Sequence, residues 1–217
     1  MEVLISRLHH PVTALGPGRR AGIWLQGCSI RCRGCVSVDT WEPDGRAAVP
    51  VGDVLGWLAG LPAGEVDGVT ISGGEPTDQP AALAELLSGI QAWRAARPPE
   101  LPAADVLLFT GRSPSWVERS APECLAGVDA VVAGPYVAGR AGSSPLRGSE
   151  NQRLIAVTPL GQQRLAEYQA SVRARMQVEV TGEGVWMIGI PLPGDMAAFQ
   201  AATAARGVSF PEPSWLS

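Results

Sequence analysis

The chain has 217 residues and a formal net charge of −4, and 46% of its residues are hydrophobic, which suffices for a buried core and argues against global disorder. The acidic balance gives no broad attraction to nucleic acid, and no apolar run approaches the ~18 residues of a membrane helix. All seventeen basic residues are arginine, so a Schiff-base lysine mechanism is excluded.

The first element expected is a short buried strand at Gly22–Gly27 that runs into a cysteine-bearing loop. Val51, Val54, Leu55 and Leu58 fall at helical spacing, with Asp53 near the start where the helix dipole favours an acid. Val66–Ser72 reads as a strand ending at a glycine pair. Leu83, Leu86, Leu87, Ile90 and Trp93 mark one face of a second helix, stopped by Pro98 and Pro99. Asp105–Gly111 is almost wholly apolar, as a strand covered on both faces should be. A short helix near Trp116 and a strand at Val128–Pro135 follow.

This alternation predicts an α/β fold with a parallel sheet and right-handed crossovers. In such sheets the loops at the C-terminal strand ends carry the chemistry, and here they hold cysteines, a Gly-Gly-Glu and a Thr-Gly. Farther along, Ala138–Asn151 reads as irregular. Met176–Pro191 reads as a hairpin around a Gly-Glu-Gly turn, and Asp195–Arg206 as a closing helix with Met196 and Phe199 inward. One domain is expected, its core at about residues 15–157 and its hairpin and helix at about 158–217. The N-terminus has no secretory pattern, so a cytoplasmic address with reduced thiols is expected.

Three of the four cysteines, Cys28, Cys32 and Cys35, lie within eight residues in C-x3-C-x2-C spacing. Such clustering is improbable for structural cysteines, and an odd cluster in a reducing compartment argues against disulfides. Zinc would want a fourth tight ligand: Cys124 stands alone in an expected helical segment, as a small buried hydrophobe, and neither His9 nor His10 has supporting spacing. A 4Fe–4S cluster fits better, because three thiolates leave one iron open to bind a small molecule. The seven tryptophans are read as packing residues, with no cofactor role.

GPGRR (Gly16–Arg20), LQGCSIRCRGC, DTW (Asp39–Trp41), SGGEP (Ser72–Pro76), FTG (Phe109–Gly111), AGPY (Ala133–Tyr136) and RGSENQR (Arg147–Arg153) occur in that order. Together they resemble the radical S-adenosylmethionine superfamily, and within it the small activases of anaerobic ribonucleotide reductase and other glycyl radical enzymes. The resemblance implies that Cys28, Cys32 and Cys35 ligate a 4Fe–4S cluster whose open iron chelates S-adenosylmethionine. Ser72, Gly73, Gly74 and Glu75 would bind that cofactor's amino group, and Thr110 would lie near it. Arg147, Asn151 and Gln152 could hydrogen-bond ribose, carboxylate or a peptide backbone. Reductive cleavage would yield a 5′-deoxyadenosyl radical that abstracts hydrogen from a partner protein's glycine. Modification of a peptide or small metabolite, and a non-catalytic iron–sulfur or zinc module, are the alternatives.

The expected architecture is a partial, open (β/α) barrel of about five or six mostly parallel strands, shorter than the ~250 residues of a full barrel. Its open side would suit a protein or peptide substrate covering the mouth, with a reduced flavodoxin- or ferredoxin-type electron donor and no nucleic-acid or membrane partner. Val36 and Ser37 stand where the activases carry a His-Asn type pair, and Ala133 replaces an aspartate of their Asp-Gly-Pro-Phe turn. These departures leave the substrate open.

Overall fold

The computed structural model describes residues 1–120, 125–170, 176–181 and 184–210. Its strands are β1 (Glu2–Val12), β2 (Arg20–Leu25), β3 (Ala48–Pro50), β4 (Gly68–Gly73), β5 (Asp105–Thr110), β6 (Ala130–Ala133), β7 (Arg153–Ala156), β8 (Met176–Thr181) and β9 (Gly184–Gly189). The helices are α1 (Val51–Gly60), α2 (Pro80–Ala95), α3 (Pro114–Ser120), α4 (Pro159–Ala170) and α5 (Asp195–Ala204). β1 to β7 form one sheet in the order β3-β1-β2-β4-β5-β6-β7, and β8 and β9 pair separately as an antiparallel hairpin.

The four central strands β2, β4, β5 and β6 run parallel, as expected. The edges differ: β1 and β3 join one side and β7 the other, all antiparallel, so the sheet has seven strands where about five or six were expected. The arrangement is an open α/β sheet.

Alternation along the buried strands separates two apolar faces. Ala21, Ile23 and Leu25 of β2, Val106 and Leu108 of β5, and Val131 and Ala133 of β6 pack with Val54 and Leu58 of α1 and Leu83, Leu86, Leu87 and Ile90 of α2. The helical face read from sequence is therefore the face that is buried. Leu107, Ala130 and Val132 point to the opposite face, against Leu146 and Tyr168 of α4. Trp24 packs there with Val12, Leu15 and Ile188 of β9.

A charged network fixes the N-terminal end of the sheet. The fully buried Arg20 guanidinium donates to Asp105 Oδ2 at 2.8 Å, to Thr70 Oγ1 at 2.6 Å and to the Val69 carbonyl at 2.8 Å. From α4, Arg164 and the Tyr168 hydroxyl donate to the same carboxylate. Burial opposes ionisation of Asp105, but the Arg20 charge and these donors hold its pKa below the ordinary carboxylate value. The same burial, reinforced by the Asp105 charge, drives the Tyr168 hydroxyl upward.

The hairpin is anchored across β1 and β2. Trp186 meets Trp24 edge-on at 4.9 Å between centroids, and the Arg7 guanidinium lies 5.1 Å from its ring. Gln177 donates to the Pro11 carbonyl at 2.8 Å and accepts from Thr13 N at 3.0 Å. The expected turn residues Gly182 and Glu183, and Cys124, lie outside the described residues. In α5, Met196 and Phe199 are half-buried, with Phe199 stacked on Phe210. No helix among the described residues is long and apolar enough to cross a membrane.

Candidate cofactor site

The parallel strands end together. Leu25 pairs with Gly73 across β2 and β4, and Thr110 with Ala133 across β5 and β6. The cysteine loop, the Gly-Gly-Glu turn and the Thr-Gly turn therefore open onto one edge of the sheet. There Cys28, Cys32, Cys35, Ser72, Gly73, Gly74, Glu75 and Thr110 line one cavity of about 150 Å³.

The cysteine loop is curled by Arg31 and Gly34, both in the left-handed region at φ of 47° and 80°. Cys35 N donates to the Cys32 carbonyl at 3.1 Å, closing the turn between the second and third thiols. All three cysteines are free and half-buried. Burial pushes the Cys32 and Cys35 thiols above the ordinary value. Opposing it at Cys35 are the Ser37 N–H, 3.4 Å from the sulfur, and the Trp41 indole.

The Gly-Gly pair lets the β4 turn touch the start of this loop. Gly74 N donates to the Leu25 carbonyl at 2.8 Å and Glu75 N to the Gly27 carbonyl at 2.9 Å. A side chain at Gly74 would run into the Gly27 carbonyl, and Gly73 adopts φ 101°.

Glu75, 1% exposed, clamps the β4 and β5 ends together. Its Oε1 accepts from Thr77 N (3.0 Å), Thr77 Oγ1 (2.6 Å) and Thr110 Oγ1 (2.8 Å), and its Oε2 from Gly111 N (2.8 Å). Beside it, Asp78 accepts from Ser29 N at 2.6 Å and Ser29 Oγ at 2.9 Å, within the cysteine loop. Arg112 donates to Asp78 at 2.6 Å and to Thr77 Oγ1 at 3.1 Å. Ser29, Asp78 and Arg112 were not legible as site residues, since they meet only through contacts 34 to 83 residues apart.

Arg147 and Asn151 do not line this cavity. Arg147 donates to the Gln152 carbonyl at 3.2 Å and Asn151 to the Pro135 carbonyl at 2.7 Å, so both shape their loop. That loop's contribution to the cavity wall is Gln152. His9 and His10 are also remote: His9 lies 3.4 Å from Glu179, and His10 is bonded to the Glu65 carbonyl. Trp41, read from sequence as packing, lines the cavity.

The family model described as "4Fe-4S single cluster domain" matches residues 14–155. The chain belongs to that family. The 4Fe–4S single cluster relatives include the anaerobic ribonucleoside-triphosphate reductase-activating protein of Enterobacteria phage T4. It is 31% identical over 143 residues, covering 66% of this chain and 87% of that protein. The protein of the same name from Vibrio cholerae is 29% identical over 150 residues, covering 66% and 92%. The pyruvate formate-lyase-activating enzyme of Streptococcus mutans is 38% identical over 77 residues, covering 34% and 29%. The resemblance to radical S-adenosylmethionine activases is thus borne out, and the chain is an enzyme of that class, with a 4Fe–4S cluster and S-adenosylmethionine as its cofactors.

The donor set fits a cluster. Three free thiols surround one cavity, each able to hold a separate iron, whereas no three His, Cys, Asp or Glu side chains among the described residues converge as ligands of a single ion.

Proposed function

We propose that the chain is a glycyl-radical activase of the radical S-adenosylmethionine type, acting on a glycine of a partner protein. The observation that carries this reading is the convergence of three free thiols with the Ser72–Glu75 turn around one cavity, joined by main-chain hydrogen bonds. In this reading Cys28, Cys32 and Cys35 hold the cluster on a partial (β/α) barrel. When bound, the cluster supplies the electron that cleaves S-adenosylmethionine to the hydrogen-abstracting 5′-deoxyadenosyl radical. The protein's part is to bind, orient and exclude water. Main-chain groups of Ser72–Gly74 approach the cofactor's methionine end closely because the glycines present no side chain. Glu75 keeps acceptor capacity on Oε2, where Gly111 N is its one donor among the described contacts, and can take a cofactor ammonium hydrogen there. Thr110 holds Glu75 in place from β5. A reduced flavodoxin- or ferredoxin-type protein would deliver the electron.

A second substrate reading is favoured by a particular feature. A groove of about 600 Å³ adjoins the cavity, sharing Thr40, Ser72 and Phe109 with it. One wall is β9, Gly184–Gly189, which lies beyond the family match that ends at residue 155; another holds Val36 and Ser37, where the activase pattern is not followed. Such a wall supports a peptide substrate laid along the groove.

Anaerobic reconstitution tests both. A reduced cluster whose EPR signal changes on adding S-adenosylmethionine, with formation of 5′-deoxyadenosine, is expected; neither change nor product would refute both. A glycyl radical in the enzyme encoded by a neighbouring gene supports activation, and a modified precursor peptide supports the second reading.

A further inference from the structure

The wall of the cavity carries a buried donor beside a cysteine sulfur. The Trp41 indole N–H is buried and lines the cavity with the three thiols; it makes no hydrogen bond of ordinary length and angle among the described residues, and the group it acts on is the Cys35 thiol. Indole nitrogen is donor only, and buried donors are nearly always matched. Its backbone leaves little freedom to turn elsewhere. Gly27 N donates to the Thr40 carbonyl at 2.8 Å and Cys28 N to the Trp41 carbonyl at 2.9 Å. Gln26 Nε2 brackets the segment, donating to the carbonyls of Asp39 at 2.9 Å and Glu42 at 2.8 Å. Trp41 is therefore locked to the first cysteine while its indole faces the side of the cavity held by the third, where Ser37 N already points at the Cys35 sulfur.

We propose that Trp41 donates its indole N–H to sulfur at the Cys35 corner of the cluster, and thereby sets the cluster's reduction potential. The proposal rests on the assignment of the three cysteines to a 4Fe–4S cluster. The physical argument is one of charge: reduction adds an electron that spreads onto the sulfurs, so a fixed N–H stabilises the reduced form more than the oxidised one and raises the potential. Trp41 is thus a tuning residue that acts through the cluster.

The test is Trp41→Phe, which keeps most of the packing volume and removes the donor. The reconstituted variant should retain the wild-type iron content and show a lower midpoint potential by EPR-monitored redox titration. An unchanged or higher potential at full iron content would overturn the proposal. A second measurement does not depend on the variant's folding. Wild-type protein labelled with ¹⁵N-tryptophan should show ¹⁵N coupling to the reduced cluster by pulsed EPR, and its absence would likewise overturn the proposal. Failure of the wild-type chain to load any cluster would count against the cysteine assignment instead.

Discussion

Glu75→Gln tests whether the Gly-Gly-Glu carboxylate is a clamp in its own right, before any cofactor binds. The wild-type carboxylate takes four protein hydrogen bonds, three on Oε1 and one on Oε2, all from donors. An amide has one oxygen to offer. If that oxygen takes the Oε1 position, the NH₂ group faces the Gly111 N–H; if it takes the Oε2 position, the NH₂ faces Thr77 N and two hydroxyls. Either orientation sets a donor against a donor at a site 1% exposed. Losing a hydrogen bond to a charged group costs about 1.5–3 kcal/mol and stranding a buried donor about 1–3 kcal/mol, so with partial relaxation a loss of about 2–4 kcal/mol is expected. Urea unfolding of the cluster-free protein measures this as a fall in midpoint at constant slope. Thr110→Val, which removes one donor to the carboxylate and the acceptor of the Arg112 N–H, should cost about 1.5–3 kcal/mol. A Glu75→Gln loss below about 1 kcal/mol would refute the clamp and leave Glu75 as a cofactor contact alone.

Cys32→Ala should lose the cluster's visible absorbance and cluster-dependent cleavage, and full activity in that variant would refute its assignment as a ligand. Gly74→Ala places a methyl group against the Gly27 carbonyl and pushes the β4 turn from the cysteine loop. A displacement near 1 Å predicts about a 100-fold loss in 5′-deoxyadenosine formation with iron content retained, checked by chromatography and iron assay. Asp105→Asn leaves Arg20 charged and buried, costing about 3–5 kcal/mol in urea unfolding. Because the folded Asp105 pKa lies below 3.8, its stabilisation is present above that pH and lost as pH falls further. The wild type should therefore weaken below about pH 4, and this acid step should be missing from the Asn variant.

The legible parts of the fold were those whose burial is uniform. β5 reads as a strand because nearly every residue is covered, and α2 as a helix because Leu83, Leu86, Leu87 and Ile90 share one buried face. β1 was missed because only Val3 and Val12 of its eleven residues are buried, which leaves no alternation to read. β7 is four residues long without a buried position, and α4 buries only Gly161 and Tyr168, so neither carries a stripe. At the site, the motifs contiguous in sequence, the cysteines and Ser72–Pro76, were readable. The contacts that fix them were not: Asp78 to Ser29 and Arg112, and Glu75 to Thr110, exist only once β4 and β5 lie side by side. Trp41, read as a packing residue, lines the cavity because Cys28 N and Gln26 hold its segment against the cysteine loop, contacts that no spacing encodes.

Val36 and Ser37, which depart from the expected activase pattern, line the groove beside the cavity and not the cavity itself. At position 37 the contact with the Cys35 sulfur comes from the backbone N–H, which any residue except proline supplies, so serine there preserves the hydrogen bond to the thiol. The Val36 and Ser37 side chains instead line the groove beside the cavity. Facing them across that groove are Trp186, Ile188 and Ile190, from a segment beyond the family match, held in place by Trp24 and the β1 contacts. The Val36–Ser37 pair and the segment beyond the family match thus line one groove. That surface opens onto the cavity through Thr40, Ser72 and Phe109 without contributing a cysteine to it. On the proposed reading, substitutions in this groove should change which substrate reaches the cavity while leaving iron content and 5′-deoxyadenosine formation intact, because the cysteine loop, the Gly-Gly pair and the Glu75 clamp lie outside it.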